Sequence, residues 1–185
     1  MKKISLRTRV LTGAVAAAAL GAGTFGAMSA NASAPAAASA TTVKADTANR
    51  NLQQSTHLTV DAASKAAQAA LDAAEKENQR VAVAVVDRNG NTILTLRGDG
   101  AGPQAYESAE KKAYTAVSWN APTSELAKRL AQAPNLKDIP GTLFLAGGAP
   151  VQVKGAPVAG IGVAGAPSGD LDEKFAAAAV AALAK

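Results

Sequence analysis

The sequence predicts an α+β fold: a single domain with a mainly antiparallel five-stranded sheet packed with four helices. Three observations carry this expectation. Alanine-rich segments with helical spacing stand near the start, middle and end of the chain; β-branched runs lie between them; and the strand-like runs group into one hairpin and one later three-strand meander. Neither an internal repeat nor a second domain is visible.

Thr59 is placed to cap the first helix, because Val60, Ala63, Ala67, Ala70, Leu71 and Ala74 follow at helical spacing with Asp61, Lys65, Gln68, Asp72 and Lys76 opposite. Val81 to Asp87 is then almost continuously apolar, so this strand is expected to be central and covered on both faces. Arg88-Asn-Gly-Asn91 supplies a turn, and Thr92 to Arg97 returns as the partner strand. Pro103 suits the first turn of a second helix reaching about Trp119, whose indole is expected to pack under the following loop. Pro122 interrupts the pattern, Thr123 can cap a short third helix to Gln132, and Pro134 to Gly141 reads as a loop. Thr142 to Ala146, Val151 to Val153 and Val158 to Val163 read as three more strands, with Gly147-Gly148 and Lys154-Gly155 at the turns. Ser168 or Asp170 caps the last helix, with Glu173 spaced as a capping-box partner for Asp170.

Residues 1–34 have the pattern of a secretory signal peptide. Lys2, Lys3, Arg7 and Arg9 precede an uncharged apolar stretch from Val10 to about Gly23, and small residues around Ala30 to Ala34 offer cleavage after Ala32 or Ala34. Arg7 and Arg9 are not adjacent, which gives the twin-arginine route little support. Residues 35–56 read as a flexible leader, rich in Ala, Thr and Ser towards its start, and residues 57–185 as the folded domain. An extracellular location is therefore expected. Four of the nineteen Lys and Arg belong to the signal, leaving fifteen against fourteen acidic residues, so the formal charge of +5 falls to +1 and a nucleic-acid partner loses its support. The chain has no cysteine, which excludes disulfides and thiolate ligation, so the domain has to be held by burial alone. With few aromatics and many Ala and Gly, its helices must pack closely on the sheet or on one another, and some apolar surface is available for an oligomer.

Few motifs suggest chemistry. Gly160-Ile-Gly-Val-Ala-Gly165 matches a dinucleotide fingerprint in letters only. Its glycines lie within a strand and no acidic residue follows in a second strand, so they are read as permitting close approach of another backbone or a flat ligand. Glu107 and Glu110 stand three apart on one helix face, close enough to share a cation, although Glu107 can equally pair with Lys111. Asp72 and Glu75 repeat the spacing on the first helix. His57 is the single histidine, close to the leader; it is either an exposed polar residue or a ligand for iron. Nothing in the sequence supports a catalytic triad or a zinc hydrolase site.

Three stretches together carry a family resemblance: Arg97-Gly-Asp-Gly-Ala101, Ala109-Glu-Lys-Lys-Ala-Tyr-Thr-Ala116, and the glycine-punctuated run from Phe144 to Phe175. From about Leu58 onward the chain resembles the GlcG/HbpS family of small haem-binding α/β domains, its secreted HbpS branch above all. The resemblance implies haem and iron as ligands. It implies haem contact at Thr142 in Pro140-Gly-Thr-Leu-Phe144 and surface iron at Glu107 and Glu110; His57, whose neutral imidazole suits iron, is the candidate third ligand from the same or a neighbouring subunit. His57, Tyr106, Tyr114, Lys111 and Thr142 remain the axial candidates, and Arg97, Lys111 and Lys112 can meet the propionates. It further implies a homo-oligomer, with an octamer expected, and a membrane sensor histidine kinase as partner in two-component signalling of haem or oxidative stress. A haem-degrading enzyme and a haem or iron scavenger are the alternatives. The chain has Gly162-Val-Ala-Gly165 where related sequences often have Gly-Val-Ser-Gly, and Leu171 where glutamine is common, which weakens a catalytic carry-over.

Overall fold

The computed structural model describes residues 46–184, and from Thr47 onward the chain forms one compact unit. The expected signal peptide and the first part of the leader lie outside the described residues. The rest of the leader is exposed and carries one short 3-10 turn, Asn49–Asn51, with no buried residue.

Helix α1 spans Val60–Lys76 and is capped by the Thr59 hydroxyl, which accepts from the Ala62 N–H at 3.2 Å. Strands β1 (Ala82–Asp87) and β2 (Thr92–Arg97) form the expected hairpin. At its turn, Asp87 Oδ1 accepts from the backbone N–H groups of Asn89 and Asn91 at 2.8 and 2.9 Å. Helix α2 spans Pro103–Trp119, with proline in its first turn and Asn120 closing it in the left-handed conformation (φ +52°). Helix α3 is Thr123–Arg129. Strands β3 (Gly148–Val153) and β4 (Ala156–Ala164) form a second hairpin. Its turn residues Lys154 and Gly155 both have positive φ, +52° and +79°, as the twist of a two-residue hairpin turn demands. Helix α4, Gly169–Ala182, closes the chain, capped by Ser168 through the Leu171 N–H.

The sheet has four strands in the order β2-β1-β4-β3, all antiparallel, rather than five. The difference lies at Thr142 to Ala146, which forms no strand. The Thr142 N–H turns back to the Ile139 carbonyl at 3.3 Å instead of to a neighbouring strand. The Leu143 N–H donates to Thr115 Oγ1 at 2.8 Å, and beyond the segment Gly147 N–H reaches Glu173 and Gly148 N–H reaches Thr123 Oγ1. Apolar and aromatic composition cannot make a strand when the ladder partner is missing. Two capping expectations change for the same reason. Thr123 is the first residue of α3, which ends at Arg129, and its hydroxyl serves Gly148. Glu173 is no capping-box partner; it accepts from Ser124 N–H and Oγ and ties α4 to α3.

Strand β1 is central, as its composition requires, and its faces differ in kind. Val81, Val83 and Val85 join Ile161 and Val163 in a large-residue core with α1 and the Phe175, Ala176 and Ala179 face of α4. Ala82, Ala84 and Val86 face α2 through its own Ala105, Ala109, Ala113 and Val117. A Cβ added at Gly160 or Gly162 would lie 2.1 Å from the Ala113 carbonyl oxygen or 2.0 Å from that of Ala109. The strand glycines therefore serve close backbone approach, which leaves no slot there for a dinucleotide. Trp119 packs edge-to-face on Phe144, with ring centroids 5.2 Å apart, beside Ala121 and Leu126.

A buried ion pair joins α2 to α4, helices on opposite faces of the sheet. Lys112 Nζ lies 2.7 Å from Asp172 Oδ2 and donates to the Val163 carbonyl at 3.1 Å, while Asp172 Oδ1 accepts from the Ala166 N–H at 3.0 Å. Both side chains are 5 % exposed.

Two stability predictions follow from this packing. Gly162→Ala should lower the unfolding free energy by about 1–3 kcal/mol or more, because neither the strand nor the α2 backbone can yield cheaply; urea denaturation measures it. Lys112→Met should cost about 3–5 kcal/mol by stranding a buried carboxylate, while Lys112→Met with Asp172→Leu should lie closer to the parent than Lys112→Met alone.

Candidate functional site

A shallow crevice of about 190 Å³ runs along α2 between the β1–β2 turn and the loop before Thr142. Val86, Gly90, Thr92, Glu110, Lys111, Tyr114 and Gly141 line it. The Tyr114 ring lies between two glycines: a Cβ at Gly90 would come 2.8 Å from its Cε2, and one at Gly141 3.7 Å from its Cε1. Thr142 follows directly, buried at 9 % exposure. Its Oγ1 donates to the Ile139 carbonyl at 2.8 Å, which spends the hydroxyl proton and leaves the oxygen lone pairs for an incoming partner. Val86, a flat aromatic ring and the Lys111 cation thus line one crevice, and Thr142 follows its lining residue Gly141 in the chain. An apolar surface, a flat ring and a cation are among the parts that a haem edge and its propionates require. The crevice is smaller than an enclosed small-molecule pocket, so a flat ligand there keeps a face outside this chain.

Glu107 and Glu110 project from the same stretch of α2, but each already has a partner. Glu107 pairs with Lys111 at 2.6 Å, and that hydrogen bond and charge hold its carboxyl below the usual glutamate range. Glu110 is half-buried and accepts from Thr95 Oγ1 on β2 at 3.1 Å. His57 sits elsewhere, at the β1–β2 turn. Its Nε2 is 2.6 Å from Ser55 Oγ and its Nδ1 3.7 Å from Asp87 Oδ2, the latter beyond hydrogen-bond length. Burial alone would raise the Asp87 carboxyl, but hydrogen bonds from Asn91 and Asn89, with His57 close by, hold it below the ordinary aspartate value. Among the described residues, no three His, Asp or Glu side chains converge as a metal site, so His57 is not brought together with Glu107 and Glu110 within this chain.

The other expected residues are scattered. Asp72 accepts from Gln68, one turn away, and Glu75 lines a separate crevice at the end of α1 with Arg80 and Asp99. Tyr106 is exposed. Arg97 donates twice to the Ala101 carbonyl and thereby shapes the loop before α2. Lys112 is committed to Asp172, so of the two adjacent lysines only Lys111 reaches the Tyr114 crevice. The Lys112–Asp172 pair is the feature that the sequence reading missed. A signal did exist: Lys112 falls on the same helical stripe as Ala105, Ala109 and Ala116, where a lysine must be either buried or misplaced.

Comparison with known proteins places this geometry in a family. The sequence model described as "Haem degrading protein HbpS-like" matches residues 58–181. The crystal structure of a Streptomyces reticuli HbpS variant, in which two glutamates three positions apart are replaced by aspartate, is 72 % identical and superposes with a TM-score of 0.74; the match covers 80 % of this chain and 97 % of that one. A second crystal structure of HbpS is 76 % identical over 74 % of this chain and 97 % of its own, with a TM-score of 0.73. The crystal structure of a PduOC:heme complex is 26 % identical, covering 69 % and 95 % of the two chains with a TM-score of 0.63. The matched span runs from the residue before the α1 cap to the last turn of α4 and takes in the ion pair and the Tyr114 crevice, and on this evidence the chain belongs to the HbpS-like family.

Proposed function

We propose that this protein binds haem at the Tyr114 crevice, with Thr142 as the oxygen donor next to the iron and Lys111 as the nearest cation for a propionate. The observation that carries the reading is the flat Tyr114 ring lying between two glycines in a crevice that Lys111 also lines, with the buried Thr142 next in the chain after the second glycine. The family's description and the haem-bound PduOC relative support it. Bound haem would supply a redox-active iron. The residues of this chain would hold the ring, keep Thr142 oriented through Ile139 and fix the loop through Thr115. Because the crevice is shallow, a second copy of the chain closing over the ligand fits the reading, and the assembly expected is an octamer.

Iron is assigned to Glu107 and Glu110 on the exposed side of α2. This is the only pair of glutamates in the chain spaced three apart, and the S. reticuli variant alters a pair with that spacing. Iron would displace Lys111 from Glu107 and Thr95 from Glu110, and His57 would join from another copy. The signal-like residues 1–34 and the family membership support our reading of an exported haem and redox sensor accessory that reports to a membrane sensor histidine kinase. A haem-degrading activity is the second reading, favoured by the family's description; conversion of bound haem to product in the presence of a reductant separates the two.

A haem titration followed at the Soret band, run with light scattering, should show saturable binding on a defined multimer. Thr142→Val, which removes the oxygen and keeps the shape, should weaken haem about ten-fold, equivalent to about 1.4 kcal/mol; unchanged affinity removes Thr142 from the site. Glu107→Ala with Glu110→Ala should lower iron affinity by about ten-fold or more while haem titrates as before. Iron uptake that survives both changes would refute the assignment.

A further inference from the structure

The Lys112–Asp172 pair is not sealed inside the core. It lines an open crevice of about 400 Å³ between the loop at Leu145 and Ala146 and the first turn of α4, within the size range of small-molecule sites. This crevice has no lining residue in common with the Tyr114 crevice. Two of the three Nζ protons of Lys112 go to Val163 O and Asp172 Oδ2, and the hydrogen bonds of the described residues leave the third without an acceptor. A buried ion pair gains little stability over apolar residues of similar volume, so stability does not account for a charged pair lining an open crevice.

The lining selects the ligand. Asp170 and Asp172 both border the crevice, which disfavours an anion. Leu145, 58 % exposed, together with Ala146 and Pro167, offers apolar contact for a short carbon chain. A neutral carbonyl compound satisfies both conditions: its oxygen accepts the free Lys112 proton and its tail lies on Leu145.

We propose that Lys112 is a Schiff-base nucleophile for short aliphatic aldehydes, with Asp172 as its proton acceptor. The Lys112 ammonium passes a proton to Asp172 Oδ2 across 2.7 Å, and the freed amine attacks the carbonyl carbon. The carbonyl π pair moves to oxygen, which takes the proton back from Asp172 and forms a carbinolamine. A second proton shuttled through Asp172 expels water and leaves a protonated imine paired with the carboxylate. The balance is one aldehyde and one ammonium to one iminium and one water, with no outside oxidant or reductant. Burial pushes the Asp172 carboxyl above the ordinary aspartate value, the hydrogen bond and charge of Lys112 offsetting only part, which makes it a stronger base than a surface aspartate. The buried surroundings of Lys112 are of the kind in which imine-forming lysines are found.

The test treats the purified protein with propanal and cyanoborohydride and follows propylation of each lysine by peptide mass spectrometry. The exposed Lys154 serves as the internal standard. Lys112 should be captured at least about ten-fold faster than Lys154 at limiting propanal, with a rate that saturates. Lys112→Arg keeps a cation for Asp172 and should abolish the fast capture, and Asp172→Asn should slow it, with folding of each checked by circular dichroism. Capture of Lys112 no faster than Lys154 in the parent protein overturns the proposal, and needs no variant to fold.

Discussion

The close contact between α2 and the central strands is the constraint on which the rest of the molecule depends. Ala105, Ala109 and Ala113 on the helix meet Ala82, Ala84, Gly160 and Gly162 on β1 and β4, so the two backbones approach until no Cβ fits at the glycines. Such an interface gains from the number of van der Waals contacts rather than from the size of any side chain. It places α2 at one depth and rotation, and every group that α2 carries inherits that placement. Lys112 points to the end of β4, Thr115 reaches the Leu143 backbone, and Tyr114 fits between Gly90 and Gly141. The opposite face, where Val, Ile and Phe pack with the alanines of α1, carries α4, whose Asp172 meets Lys112.

Around that contact, polar side chains do the work that a fifth strand would otherwise do. The segment from Thr142 to Gly147 forms no strand, and Thr115, Glu173 and Thr123 take the amides of Leu143, Gly147 and, at the start of β3, Gly148. Buried backbone donors must be paired, and here each partner sits on a different helix. Two crevices border this segment, one lined by Gly141 and Tyr114 and the other by Leu145, Ala146, Lys112 and Asp172.

The two crevices have contrasting chemistry. At Tyr114 the lining is an aromatic ring, small residues and one lysine already shared with Glu107, which suits a flat ligand lying partly on the surface. At Lys112 the lining is a charged pair under apolar walls, which suits a small compound able to react. Because α2 carries Lys111 and Lys112 on adjacent positions that face different crevices, a shift of this helix would alter both at once.

The sequence by itself determined what depends on neighbours in the chain. The four helices, the caps at Thr59 and Ser168, both hairpin turns, the two-sided burial of β1 and the packing role of the strand glycines were all legible, because periodicity and turn chemistry report which face is apolar and where the backbone reverses. Of the Tyr114 crevice, Glu110, Lys111 and Tyr114 were among the candidates that the sequence offered, but Val86, Gly90 and Thr92 were not, and the arrangement could not be read. Only the tertiary structure decided which distant group each polar side chain meets. In the stretch from Thr142 to Ala146, which forms no strand, the Leu143 amide met Thr115 28 residues away, Glu173 turned from a local cap to Ser124, and Lys112 found Asp172 across 60 positions. His57 came to Asp87 rather than to Glu107 and Glu110. A local pattern fixes the direction in which a side chain leaves its element, whereas its partner is fixed by the packing of other elements, which no short window of sequence contains.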